Sequence, residues 1–251
     1  MPADLSTVLG KAMAILHSFT VHDPVLPLAE LVRRTGLPKG TVHRVARDLV
    51  EHRLLDKTPD GYRLSGGLFE LGMRASVERS LLEVAMPFLQ DLYERTHETV
   101  HLGIRDGAEV VYLVKIGGHR QAASPSRTGG RMPLHCTAIG KVLLAHGEPG
   151  FRAEVLTGAL ERHTPHTIVA PGLLHRQMGR ALETGVAFER EESRLGLLCV
   201  ASAVLDADGT PIAAISVAGP VGRFRPEAHA VAVKAAAAGV GSVLSRQRGL
   251  T

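Results

Sequence analysis

The sequence predicts an α+β protein of two modules joined by a helical linker, the first helical and closed by a hairpin, the second built on an antiparallel sheet. Three observations predict it. Apolar residues recur at spacings of three and four from Leu5 to Leu49. Asp60-Gly61 then stands between two short strand-like runs. Beyond Thr99 the period changes, and alternating apolar runs with turn signals are interleaved with helical ones.

The first helix rests on Leu5, Val8, Leu9, Ala12, Ile15, Leu16 and Phe19, one apolar face, and stops before Asp23-Pro24. Leu28–Thr35 reads as a second, with Leu28, Leu31 and Val32 inward and Gly36 supplying the positive φ of a tight turn. A third begins at Pro38, a residue suited to the first helical position. Val42, Val45, Ala46 and Leu49 share one narrow face, which leaves Gly40, His43, Arg44, Arg47 and Glu51 on the other. Residues 54–57, 58–61 and 62–64 follow as strand, turn and strand.

Two short helices joined by a Gly-containing turn, the second with a smooth basic face, and then a hairpin: this is the order of a winged helix-turn-helix. Between Arg33 and Lys57 stand seven basic and three acidic residues, a local excess equal to the +4 of the whole chain, so the positive charge is concentrated here. A helix fits the major groove of DNA, where Arg and Lys address guanine edges or phosphates. The expected contacts with double-stranded DNA are Lys39, Gly40, Thr41, His43, Arg44 and Arg47 on the third helix, and Lys57 and Arg63, with Tyr62, on the wing. Arg33, Arg34 and Arg53 fit a solvated helix face equally well.

Gly66-Gly67 is expected to break the chain, followed by a short helical stripe at Leu68, Leu71 and Ala75 and a longer one over 81–96 that Pro87 should kink or restart. The modules are accordingly placed at 1–65 and 81–251, with the linker at 66–80. In the second module, 100–104 and 110–116 read as an antiparallel pair about Asp106-Gly107, and 117–130 as a polar loop. Helices are expected over 137–145 and 172–184, the latter stopped by Gly185. Strands follow over 186–191, 198–205 and 212–218, then a last helix from Pro226 to about Gln247.

A chain that is 45% hydrophobic and 22% charged is neither disordered nor fibrous. Cys136 and Cys199 are the two cysteines, far apart and without metal spacing, which predicts a reduced, cytoplasmic protein with no metal and no cofactor. The N-terminal residues lack the pattern of a signal peptide, and the apolar stretch 228–244 is interrupted by His229 and Lys234, so no membrane partner is expected.

Several stretches in order resemble the IclR (isocitrate lyase regulator-type) family of bacterial transcription factors. They are 8–12 (VLGKA), 37–44 (LPKGTVHR), 98–102 (ETVHL), 134–141 (LHCTAIGK), 189–200 and 213–220 (AAISVAGP), which span nearly the whole chain. The resemblance implies a winged-helix DNA-binding domain, a linker helix and a GAF-like effector-binding domain. It further implies binding to palindromic promoter DNA as a homodimer or homotetramer, a repressor more readily than an activator. The small-molecule effector would lie between Ala138 and Ile139 on one side and Glu189, Cys199, Ser216 and Ala218 on the other. Glu189 stands where Asp is common and Ala218 where Ser is often found, which suggests a ligand larger or more apolar than a very small oxo acid. The same positions make sense by themselves: the amides opening the helix at Thr137 suit a carboxylate, with walls from Met132, Leu134, Ile139 and Val217.

An enzyme reading finds little purchase. Cys136 beside His135 lacks an orienting third group, and the stretch at Gly140-Lys141 fails as a phosphate loop because His135 replaces its first Gly and Val142 its Ser or Thr. His163 and His166 flank Pro165, which forbids the helix that would align them on a metal. No catalytic residues are therefore expected. The competing reading is a small-molecule-modifying enzyme that has kept a DNA-binding domain.

Overall fold

Ile15, Leu31, Val42, Val45, Ala46, Leu49 and Leu55 close the core of the first of two units. The computed structural model describes residues 4–74, 76–117, 122 and 124–248, and the units comprise 1–79 and 80–251. In the first, helix α1 (Val8–His17) is capped by Thr7, whose Oγ1 accepts from the Gly10 amide at 2.9 Å. Helix α2 (Leu28–Thr35) ends on Gly36 at φ 68°, where only a residue without a Cβ sits unstrained. Helix α3 (Lys39–Glu51) buries Val42, Val45, Ala46 and Leu49, the row the spacing predicts. Pro38 serves as its N-cap rather than its first residue.

The wing is a three-stranded antiparallel sheet, β1 (Val25–Leu26), β3 (Gly61–Leu64) and β2 (Leu55–Thr58) in that order. Strand β1 escapes a sequence reading because it consists of two residues and exists only through its pairing with β3. That pairing explains Gly61: a Cβ there would lie 2.3 Å from the Leu26 carbonyl oxygen. Gly66-Gly67 does not break the chain but opens helix α4 (Gly66–Gly72), with Ser65 Oγ accepting from the Gly67 amide. Gly67 is needed for packing, since a Cβ would meet the Arg53 carbonyl oxygen at 2.1 Å.

Helix α5 (Ser76–Thr96) runs uninterrupted past Pro87. One lost hydrogen bond is outweighed there by the row Leu81, Ala85, Leu89 and Leu92, all buried in the core of the second unit. That unit holds a six-stranded, wholly antiparallel sheet in the order β6 (Arg131–Pro133), β5 (Glu109–Ile116), β4 (Thr99–Asp106), β9 (Pro211–Pro220), β8 (Leu197–Leu205), β7 (Ala187–Arg190). Helices α6 (Ala138–Ala145), α7 (Pro149–Thr157) and α8 (Pro171–Thr184) belong to the core on one face of the sheet, α5 and α9 (Pro226–Arg248) to the core on the other. Strand β6 and helix α7 are additions to the sequence reading; α7 buries no residue fully, so no strong apolar stripe announces it.

By length and composition α9 is apolar enough to cross a membrane. Its row Val233, Ala237, Val240 and Leu244 is instead buried against the sheet.

Candidate functional site

Helix α3 exposes Lys39, Gly40, His43, Arg44 and Arg47, while Thr41 is half-buried at its first turn. Gly40 faces open space, with no atom within 4 Å of where a Cβ would stand, so a flat surface can approach the helix start. On the wing, Lys57 is exposed, and Arg63 is exposed but paired with Asp56 at 3.0 Å. Tyr62 is a correction: it is 4% exposed and packs in the core, with Lys57 Nζ 5.5 Å from its ring centre.

The basic residues left open by the sequence divide. Arg34 is a staple: it donates to the Ser18 carbonyl at 2.8 Å, to Asp23 at 2.9 Å and to Glu30 at 2.6 Å, fastening the end of α1 and the following turn to α2. Its guanidinium and that of Arg33 hold the Glu30 carboxyl down at about 2. Arg33 is otherwise exposed, and Arg53 pairs with Glu70. Arg44 and Arg47 remain the prominent outward cations of α3, Arg47 lying only loosely beside Asp48 at 3.6 Å.

In the second unit, Ala138, Ile139, Glu189, Cys199, Ser216 and Ala218 all line one cavity. Sheet register brings them together. Glu189 on β7 pairs with Cys199 on β8, which pairs with Ala218 on β9, and the next row holds Ser216 opposite His101 of β4. Because strand side chains alternate, Val217 falls on the opposite face and packs with α5 and α9. Val217 and Leu134 are therefore core and not cavity wall, whereas Met132 does line the cavity. The helical side is the start of α6, where Thr137 Oγ1 caps the Gly140 amide at 3.0 Å and Ala138 and Ile139 are the first two helical residues.

The sequence reading missed the cavity's polar wall: His101, Tyr112, Ser124, Ser126 and Ser193. His101 accepts or donates through Nε2 to Ser126 at 2.8 Å and through Nδ1 to Ser216 at 3.3 Å. Burial holds it at about 3, a neutral imidazole. Glu189 is pushed the other way, up to about 7, by burial, although the hydroxyl and amide of Ser193 both donate to its Oε1. His101 stands in the 98–102 stretch quoted above, but only the pairing of β4 with β9 shows which face it takes. The cavity as it stands has a volume of about 10 Å³, room for about one water molecule, so its walls must move apart to admit an effector. A wider groove along α8 and β7, lined by Gln177, Arg180, Phe188 and Arg190, contains none of these residues.

Cys136 and His135 form no nucleophile pair. Burial pushes the thiol up to about 12, and His135 Nε2 lies 2.9 Å from the Glu161 carbonyl oxygen. His163 is grouped not with His166 but with His135 and Cys136, three side chains that could hold a metal.

Two family models cover most of the chain: "IclR helix-turn-helix domain" over residues 8–59 and "Bacterial transcriptional regulator IclR C-terminal" over 73–243. The chain is 35% identical over 210 residues to the HTH-type transcriptional regulator XynR of Escherichia coli K12, covering 82% of this chain and 83% of the relative. It is 32% identical over 227 residues to the HTH-type transcriptional repressor AllR of Klebsiella pneumoniae, covering 87% and 82%. Among solved structures, an IclR homologue from Microbacterium hydrocarbonoxydans complexed with 4-hydroxybenzoate superposes with a TM-score of 0.89 at 29% identity, covering 95% of this chain and 99% of that one.

Proposed function

The chain belongs to the IclR family of DNA-binding transcriptional regulators, and from that premise we propose that it is a cytoplasmic repressor that binds palindromic promoter DNA as a homodimer or homotetramer and responds to a small organic acid. The observation that carries the DNA reading is the face of α3: an apolar row fully buried, with Gly40, His43, Arg44 and Arg47 turned outward. Lys39, Thr41, Lys57 and Arg63 complete the surface, as phosphate contacts from the helix start and the wing. The two domains are assigned as 1–65 and 81–251, with 66–80 linking them. Repression follows the role named for the AllR relative.

The effector reading rests on the cavity. The α6 amides at Ala138 and Ile139, together with Ser126 and Ser216, suit a carboxylate, and Met132, Ile139, Cys199 and Ala218 suit an apolar body. Glu189, in its protonated form, would donate to the acid or to a ring hydroxyl. The complex of the Microbacterium homologue with 4-hydroxybenzoate supports an aromatic acid as the first candidate. Regulation requires that the effector bind the DNA-competent and incompetent states unequally. The test is a fluorescence anisotropy titration of the protein against its own upstream DNA, repeated with aliphatic and aromatic acids. Salt-sensitive, specific binding that one acid releases or tightens, with the acid recovered unchanged, is the expected result; consumption of the acid would instead favour the enzyme reading.

A further inference from the structure

Outside the cavity, three side chains meet just ahead of α6. One ligand atom from each of His135, Cys136 and His163 lies within 4.8 Å of the others. His135 and Cys136 are buried, whereas His163 comes from the segment between α7 and α8 and is exposed. The two imidazoles stack with centroids 6.0 Å apart. We propose that these three residues form a zinc-binding site that ties the α7–α8 segment to the N-terminal end of α6.

A thiolate and two imidazoles are the mixed sulfur and nitrogen donors that a borderline-soft divalent cation prefers, and three protein ligands leave a fourth tetrahedral position to water. With metal–ligand lengths of about 2.0–2.3 Å, donors in such a site sit roughly 3.3–3.8 Å apart. The atoms here need to close by little more than an ångström from their 4.8 Å limit, a movement open to the exposed His163.

The surroundings orient the set. A carbonyl oxygen only accepts, so the His135 Nε2 bonded to Glu161 carries the proton and Nδ1 holds the lone pair a metal requires. Nearby charge is balanced. Glu192 and Lys141 both act electrostatically on His135 and Cys136, and Glu192 Oε2 is buried with no hydrogen-bond partner among the described residues. The Cys136 proton leaves as the metal binds.

The experiment is titration of tag-free, chelator-stripped, full-length protein with Zn²⁺ and, separately, Co²⁺. The expected result is uptake of one zinc per chain and, with cobalt, a near-ultraviolet thiolate-to-metal charge-transfer band that Cys136→Ser abolishes. His163→Ala, a surface change that leaves the core in place, weakens zinc binding by roughly tenfold or more, while His166→Ala on the same segment does not. Absence of stoichiometric zinc uptake by the wild type, a cobalt band that survives Cys136→Ser, or unaltered zinc affinity in His163→Ala would each overturn the proposal.

Discussion

Lys141 Nζ lies 2.6 Å from Glu192 Oε1 and 2.8 Å from Gln177 Oε1, and the lysine side chain is wholly removed from solvent. The pair joins α6 to the turn between β7 and β8, which also carries Ser193 to the cavity. Two charges taken out of water are stabilising only relative to one left alone. Lys141→Met is therefore expected to lower the unfolding free energy by about 3–5 kcal/mol, and Lys141→Met with Glu192→Leu to restore much of it. Denaturant unfolding of the two single variants and the double variant checks this; a double variant no more stable than the singles would contradict it.

Arg44→Ala and Arg47→Ala remove exposed cations from α3 and leave its buried row untouched. Each is expected to weaken operator binding and to lower the salt slope of log K by about 1 if it neutralises a phosphate; an arginine reading a base would instead cost about 1–3 kcal/mol and relax preference at one position. Anisotropy titrations at several salt concentrations separate the two. Unchanged affinity in the double variant at physiological salt would remove α3 from the interface.

Glu189 is held up to about 7 by burial, above its ordinary 4.5. The folded chain thus binds more protons than the unfolded one between those values, and the stability this group contributes falls as pH rises from 4.5 through about 7. An effector carboxylate meets the same change, because a protonated Glu189 can donate to it and an ionised one repels it. Its dissociation constant is expected to be flat below pH 7 and to rise towards tenfold per unit above. Calorimetric titrations at pH 6 and 8 test this, and Glu189→Gln should flatten the profile.

His101 has the opposite sign. Burial holds it at about 3 against an ordinary 6.5, so its contribution to stability is complete above 6.5 and is lost as pH falls towards 3. The second unit is expected to unfold in mild acid, and His101→Gln, which retains hydrogen-bonding capacity toward Ser126 and Ser216 without titrating, should shift that midpoint downward. A thermal-melt series between pH 7 and 4 measures it.

Arg33 and Arg34 are neighbours with unequal tasks. Arg34→Ala severs two attachments of α2 to the α1 end and the turn after it, and a third to Glu30 within α2, while Arg33→Ala loses one exposed pair with Glu30. The melting temperature of the winged-helix unit should fall for Arg34→Ala and hold for Arg33→Ala. Equal melting temperatures would contradict the staple.

What the sequence determined by itself is whatever depends on local chemistry. Leu28–Thr35 and its Gly36 stop, the buried row of α3 and the Gly185 stop follow from period and left-handed glycine, which neighbours a few residues away decide. The family stretches likewise led to Ala138, Ile139, Glu189, Cys199, Ser216 and Ala218, positions that line one cavity. Only the tertiary structure decided the rest. β1 is a strand because β3 lies beside it, and α5 continues through Pro87 because its apolar row is buried. His101 faces the cavity and Val217 the opposite core because register, invisible to a single strand, assigns alternate side chains to faces. Lys141 sits inside the apolar run of α6 for the same reason: its carboxylate partner is 51 residues away along the chain and 2.6 Å away in space.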